Sequence, residues 1–242
     1  MARHGELIAR TNTAWDTIEA WMERHAPQSH GYLRAGATEE QISVAEGELG
    51  CRLPLVMRTL YLRHDGQLGC HQDDFGGHPH ADGPLPKAPD DRSDAWEGKW
   101  KAAGFMGPGG IHWGYNWLRL DEAVGCAWQI HGDTVPGGDP LRRYVPFMAD
   151  ALDAGMFGVF VDANDGPTHG HLGTWGDAEM PEVTDTHLVD HLEDLARALT
   201  TRTALRHGEV PCLRGGALTW IAPSEMDEEQ WEGFVPVGRA LT

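Results

Sequence analysis

Apolar positions along the chain first follow a helical rhythm. In residues 13–25, TAWDTIEAWMERH, Trp15, Ile18, Met22 and His25 recur three and four apart, with Asp16, Glu19 and Glu23 on the remaining surface. Pro27 closes that predicted helix. The rhythm returns with Ile42, Ala45 and Leu49, which form one apolar stripe. Thr38 and Gln41 make a capping box at its start, and Glu39 and Glu40 put negative charge at the positive end of the helix dipole. Gly50 supplies a left-handed stop. Pro54 then opens another helix, because a missing N–H costs nothing there. From Leu55 to Leu62 only Arg58 and Thr59 are polar, which predicts burial over most of the circumference. Asp65-Gly66 ends it in a turn.

After Gln67 the rhythm stops. Residues 68–95 are rich in Gly, Pro, His and Asp, which is loop chemistry of more than ordinary length. A period of two follows: Ile111, Trp113, Tyr115 and Trp117 alternate with His112, Gly114 and Asn116, predicting a strand with one bulky face. Asp121 is positioned to cap a short helix over 122–130, with Val124 and Trp128 on one face. VPFMAD leads to a turn at 153–155, and MFGVFVD reads as a buried strand. A turn at 162–166 follows, with HLGTW at 171–175 as the hairpin partner. Leu188, Leu192, Leu195 and Leu199 predict a last helix over 185–200, capped by Thr184 or Asp185. These elements define an α+β fold: N-terminal helices, a central antiparallel sheet, and a C-terminal helix packed on the sheet.

The run GATEEQISVAEGELGCRLPLVMRTLYLRHDGQ resembles the signature of the Smi/Knr-like family within the SUKH superfamily. The matching residues are Gly36, Ala37, Thr38, Leu49, Gly50, Leu53, Pro54, Leu60, Tyr61, His64, Asp65 and Gly66, and the resemblance makes Trp15 a core residue of the first helix. It covers about residues 13–202, so the expected division is a SUKH-like domain over 1–202 with its long loop at 68–95. A C-terminal extension over 203–242 would pack on or near it, with the acidic stretch 225–232 and Trp231 as a small helix or a surface extension. These residues define a fold and name no reaction. The resemblance implies a binding role: an immunity protein of bacterial type that neutralises a basic toxin, or a regulator acting as a scaffold in cell-wall or signalling assembly.

Composition sharpens this. With 19 basic and 37 acidic residues the formal charge is −18, a field that repels nucleic acid and anionic membrane and draws cationic partners. Forty per cent hydrophobic residues, ten of them Trp, argue for a folded core. The start lacks the apolar run of a secretory signal, and no stretch reads as a membrane helix, so the expected location is cytoplasmic. Cys51, Cys70, Cys126 and Cys212 form no CxxC pair and are expected as free thiols.

Candidate chemistry is sparse. There is no G-x-S-x-G, no phosphate-cradling glycine motif, and Asp162, Asn164 and Asp165 lack the glutamate of a calcium loop. Cys70, His71, Asp73, Asp74, His78 and His80 hold metal-ligating atoms, but on a Gly/Pro-rich segment that offers no rigid second layer of support. A metal-binding protein or hydrolase using those loop histidines is therefore the rival reading, and a small-molecule regulator a third. His169 and His171 form another HxH, while His187 and His191 border the leucine stripe without the glutamate of a metalloprotease helix. The expectation is no enzyme, no cofactor and no metal. The candidate partner surface is acidic and aromatic: Asp73, Asp74, Asp82, Asp90, Asp91 and Asp94 would steer a basic protein, and Trp96, Trp100 and Phe105 would anchor it. Trp113 and Trp117 are instead expected in the core.

Overall fold

The computed structural model describes residues 2–67, 115–131, 143–150, 157–176, 180–214, 216–221 and 234–240. Helix α1 (Ala2–His25) starts well before residue 13. Leu7 packs on the core and buried Thr11 returns its hydroxyl to the Leu7 carbonyl at 2.7 Å, so the extra turns are held from inside rather than by surface periodicity. Pro27 stops α1 and also begins the short α2 (Pro27–Gly31), where its lost N–H is again free of cost.

Helix α3 (Glu39–Leu49) begins with the expected capping box. The Gln41 amide donates to Thr38 Oγ1 at 3.2 Å, and the Thr38 amide donates to Gln41 Oε1 at 2.7 Å. Gly50 closes the helix at φ 65°. In α4 (Leu55–Arg63), Val56, Met57, Thr59, Leu60 and Tyr61 are buried, and Pro54 occupies the cap position just before the first helical residue.

Among the described residues, β1 (Tyr115–Trp117), β2 (Tyr144–Asp150), β3 (Gly158–Asp162), β4 (His171–Trp175) and β5 (Glu182–His187) form an antiparallel sheet in the order β1-β2-β3-β4-β5. Central β3 is buried at every position. Val159 and Val161 face the main core with Trp15, Leu60, Leu192 and Leu195, whereas Phe160 joins Leu118, Ala123, Cys126 and Trp175 on the other face. Helix α5 (Leu120–His131) lies against β2, and α6 (Leu188–Thr201) packs along α1. The α+β architecture, with N-terminal helices, antiparallel sheet and a helix docked after it, is the one expected.

Two expectations are corrected. Residues 185–187 belong to β5, and α6 starts at Leu188 with His187 as its cap, not Thr184 or Asp185. Helix α5 starts at Leu120, which puts Asp121 in its first turn instead of at its cap. The strand read from Ile111 is described only from Tyr115; Trp113 lies outside the described residues, and so do the turn at 153–155 and the stretch 225–232. Beyond Arg202, β6 (Val210–Arg214), β7 (Ala217–Ile221) and β8 (Val235–Pro236) form a second sheet in the order β7-β6-β8, followed by α7 (Val237–Ala240). The Leu218 amide donates to Ser29 Oγ at 2.9 Å and the Gln28 amide to the Gly216 carbonyl at 3.1 Å. Leu205, Leu218, Trp220 and Val237 belong to the same core as α1 and α6.

Candidate functional site

The signature residues converge where α1, α4, β1 and the start of α5 meet. Trp15 and Trp117 are fully buried, edge to face, with ring centroids 5.4 Å apart. Tyr61 lies 5.7 Å from Trp117, and its hydroxyl donates to the Leu118 carbonyl at 2.9 Å. Burial pushes the Tyr61 phenol well above its ordinary pKa, so it remains a neutral donor. The His64 ring packs 5.7 Å from Trp15, with Nδ1 2.7 Å from the Arg34 carbonyl and Nε2 3.2 Å from Glu19 Oε1. Asp65 Oδ1 accepts the Leu120 amide at 2.9 Å, so the Asp-Gly turn after α4 caps α5 from across the fold. Burial raises the Asp65 pKa, against the Leu120 amide and nearby Arg34, which lower it. Gly66, at φ 71°, passes so close to Leu118 that a side chain would meet its backbone at 2.7 Å.

The turn also fixes an exit and a return. The Gln67 amide donates to the Trp117 carbonyl at 3.1 Å, and Leu33 bridges Gln67 in antiparallel fashion. Residues 67 and 117 therefore lie side by side, and the chain between them leaves and comes back at one place. The signature residues Gly36, Thr38, Leu49, Gly50, Leu53, Pro54 and Leu60 build the helices that support this junction. No nucleophile–base pair is assembled in it.

Arginines set the character of the described surface. Arg10 pairs with Asp190 at 2.6 Å and Glu193 at 2.7 Å; Arg63 pairs with Asp16 at 2.5 Å and Glu19 at 2.7 Å. Arg119 reaches Asp121 and Glu122, Arg58 reaches Glu39, Arg52 reaches Glu46, and Arg197 reaches Asp194. These arginines are thus paired with carboxylates of the same chain. Unpaired glutamates such as Glu6, Glu23, Glu40 and Glu48 face outward.

Among the described residues, the two histidine pairs read from the sequence meet at one place through His171 and His187. His171 and His187 lie with ring centroids 5.7 Å apart, His171 Nδ1 is 3.1 Å from the Thr184 carbonyl, and His169 Nδ1 is 3.1 Å from the Asn164 carbonyl. Asp162, Asn164 and Thr168 form a closed turn, not a cation loop: Asp162 Oδ1 accepts the Asn164 amide at 2.8 Å, and Oδ2 accepts the Thr168 hydroxyl at 2.6 Å. Among the described residues no three His, Cys, Asp or Glu side chains are placed to hold a metal ion. Cys51, Cys126 and Cys212 are buried and free, and burial raises the thiols of Cys126 and Cys212 to about 12. No described helix is long and apolar enough to cross a membrane.

The partner-binding set Asp73, Asp74, Asp82, Asp90, Asp91, Asp94, Trp96, Trp100 and Phe105 lies outside the described residues, as do Cys70, His71, His78 and His80. Sequence reasoning missed the buried carboxylates Glu46 and Asp194. Glu46 takes the Leu53 amide at 3.0 Å and bonds Arg52, fixing the turn between α3 and α4. Asp194 takes the Arg206 amide at 2.9 Å and the Arg197 guanidinium at 2.6 Å, tying the end of α6 to the chain after it. Each sits on its helix's apolar stripe, one position from Ala45 and Leu195, and that placement was the available signal.

An α+β module with a buried aromatic and Asp-Gly junction and an acidic surface is built to hold shape and present charge. A model of the SMI1 / KNR4 family (SUKH-1) matches residues 36–187, and the chain belongs to that family. KNR4/SMI1 homolog 2 of Debaryomyces hansenii is 40% identical over 57 residues, 23% of this chain and 10% of that protein. F-box protein SKIP16 of Arabidopsis thaliana is 36% identical over 61 residues, 25% of this chain and 14% of that protein. Human F-box only protein 3 is 33% identical over 67 residues, 28% of this chain and 14% of that protein. The matched stretch is thus a small share of each relative. These yeast, plant and human relatives overturn the expectation of a bacterial protein, which rested on signature residues that define the fold and carry no information about the host.

Proposed function

We propose that the chain is a non-catalytic scaffold that captures a basic protein. The observation that carries this is the outward acid left after arginines of the described surface are committed to carboxylates within the chain. With a formal charge of −18, that surface steers a cationic partner and suppresses association with acidic ones. Occurrence of the matched stretch within F-box proteins and a KNR4/SMI1 homologue favours a module reused for docking, in line with an assembly or signalling scaffold. Neutralisation of a basic toxin is the immunity form of the same capture. In either form Asp73, Asp74, Asp82, Asp90, Asp91 and Asp94 guide the partner, and Trp96, Trp100 and Phe105 supply its apolar anchors.

The test is cross-linked co-purification from native host extract, then association kinetics with the recovered protein. The expected partner carries net positive charge, and its association rate falls about tenfold or more between low and physiological salt. Trp96→Ala and Trp100→Ala raise the dissociation rate. Recovery only of neutral or acidic proteins, or a rate indifferent to salt, refutes the reading.

A further inference from the structure

The N-terminus of α6 is closed by a ring that must stay neutral. The Val189 amide donates to His187 Nδ1 at 3.1 Å, so that nitrogen presents a lone pair and cannot carry a proton. The preceding donor, the Leu188 amide, bonds the Gly170 carbonyl at 2.9 Å. The ring is walled on both sides. Gly170, at φ 85°, approaches so closely that a side chain there would sit 2.5 Å from His187 Nε2, while the His171 ring stands edge to face at 5.7 Å. His171 is paired with His187 across β4 and β5, so the two rings share one register position.

We infer that His187 is a proton-operated latch: when Nδ1 gains a proton, the first turn of α6 and the edge strand β5 come loose from the turn at Gly170. Protonation converts the accepting nitrogen into a donor facing another donor. It also places positive charge at the positive end of the helix dipole. The bond that breaks is the Val189 amide to Nδ1; the bond that forms is N–H at Nδ1, with the proton taken from solvent. The turn that loosens carries Leu188 and Val189, both buried in the main core that α1 shares.

The neighbours set where this happens. Burial pulls the His187 pKa below its ordinary value; Asp190 on α6 opposes this, while His171 on β4, Arg10 on α1 and His169 on the β3–β4 turn add to it. Arg10 is itself held by Asp190 and Glu193. Because the folded value is depressed, the cap is fully present above the ordinary histidine range and is lost as pH falls through the folded value.

The test uses the full chain from pH 7.5 to 5.5, following the His187 ring nitrogens and amide-exchange protection by NMR. Protection at Val189, referenced to Leu199 in the same helix, should fall about fivefold, the worth of one N-cap. The midpoint of that fall should coincide with the titration of the His187 ring. His187→Asn, which caps without titrating, should hold its protection across the range. Constant protection in the wild type, midpoints that do not coincide, or an equal loss in His187→Asn would each overturn the latch. The wild-type comparison alone decides the matter if the variant does not fold.

Discussion

At the level of single residues, Gly36 shows how a signature position answers to geometry. Its Cα lies against the last turn of α4, where an added methyl would overlap the Leu62 carbonyl and come within 2.9 Å of the Arg63 carbonyl. Backbone cannot yield as a side-chain end can, so Gly36→Ala is expected to cost about 2–3 kcal/mol, read as a lower urea midpoint at unchanged slope. A midpoint equal to wild type would mean that the loop before α3 absorbs the methyl. Trp117 is the second such residue. It touches Trp15, Tyr61 and Phe147 in a fully buried cluster, so Trp117→Ala is expected to cost about 3–5 kcal/mol in the same measurement. Trp117 was legible as core because a bulky residue on an alternating face has few other places to go. Glu46 and Asp194 were not, since a carboxylate reads as surface until its tertiary partners are known.

At the level of elements, a helix start was readable where a common capping residue stands just before it, and was not where the cap is a remote carboxylate or a histidine. The start of α3 is written into Thr38 and Gln41, three residues apart. The start of α5 depends on Asp65, which is remote in sequence and adjacent only after folding. Strand β5 was missed because Glu182, Thr184 and Asp185 leave it no continuous apolar face, and an edge strand needs none. The distal end of α6 rests on Asp194. Burial pushes that carboxyl up, yet the Arg206 amide and Arg197 together hold it below the ordinary carboxylate value. Asp194→Asn is therefore expected to lose about 1–2 kcal/mol at pH 7. A depressed folded value makes the contribution present above the unfolded value of about 3.9 and lost as pH falls through the folded one. Urea titrations of wild type and variant should converge as pH drops below about 3.9. A gap that persists in acid would show that the side chain's shape, and not its charge, holds the end of the helix.

For the molecule as a whole, the competing terms are local pairing and global repulsion. Partly exposed pairs such as Arg10 with Asp190 and Glu193 contribute on the order of 0–1 kcal/mol each, and salt weakens them. A formal charge of −18 acts in the opposite sense, because like charges across the surface oppose the compact state. The screening length shrinks from about 30 Å at 0.01 M to about 10 Å at 0.1 M. That removes repulsion between distant carboxylates before it reaches contacts closer than 4 Å. Sodium chloride should therefore raise the melting temperature over this range, by about 2–4 °C if the relieved repulsion is near 1 kcal/mol. A fall in melting temperature would mean that the arginine pairs outweigh the surplus acid. The surface would then be close to self-neutralised, and charge would no longer be the property a basic partner reads.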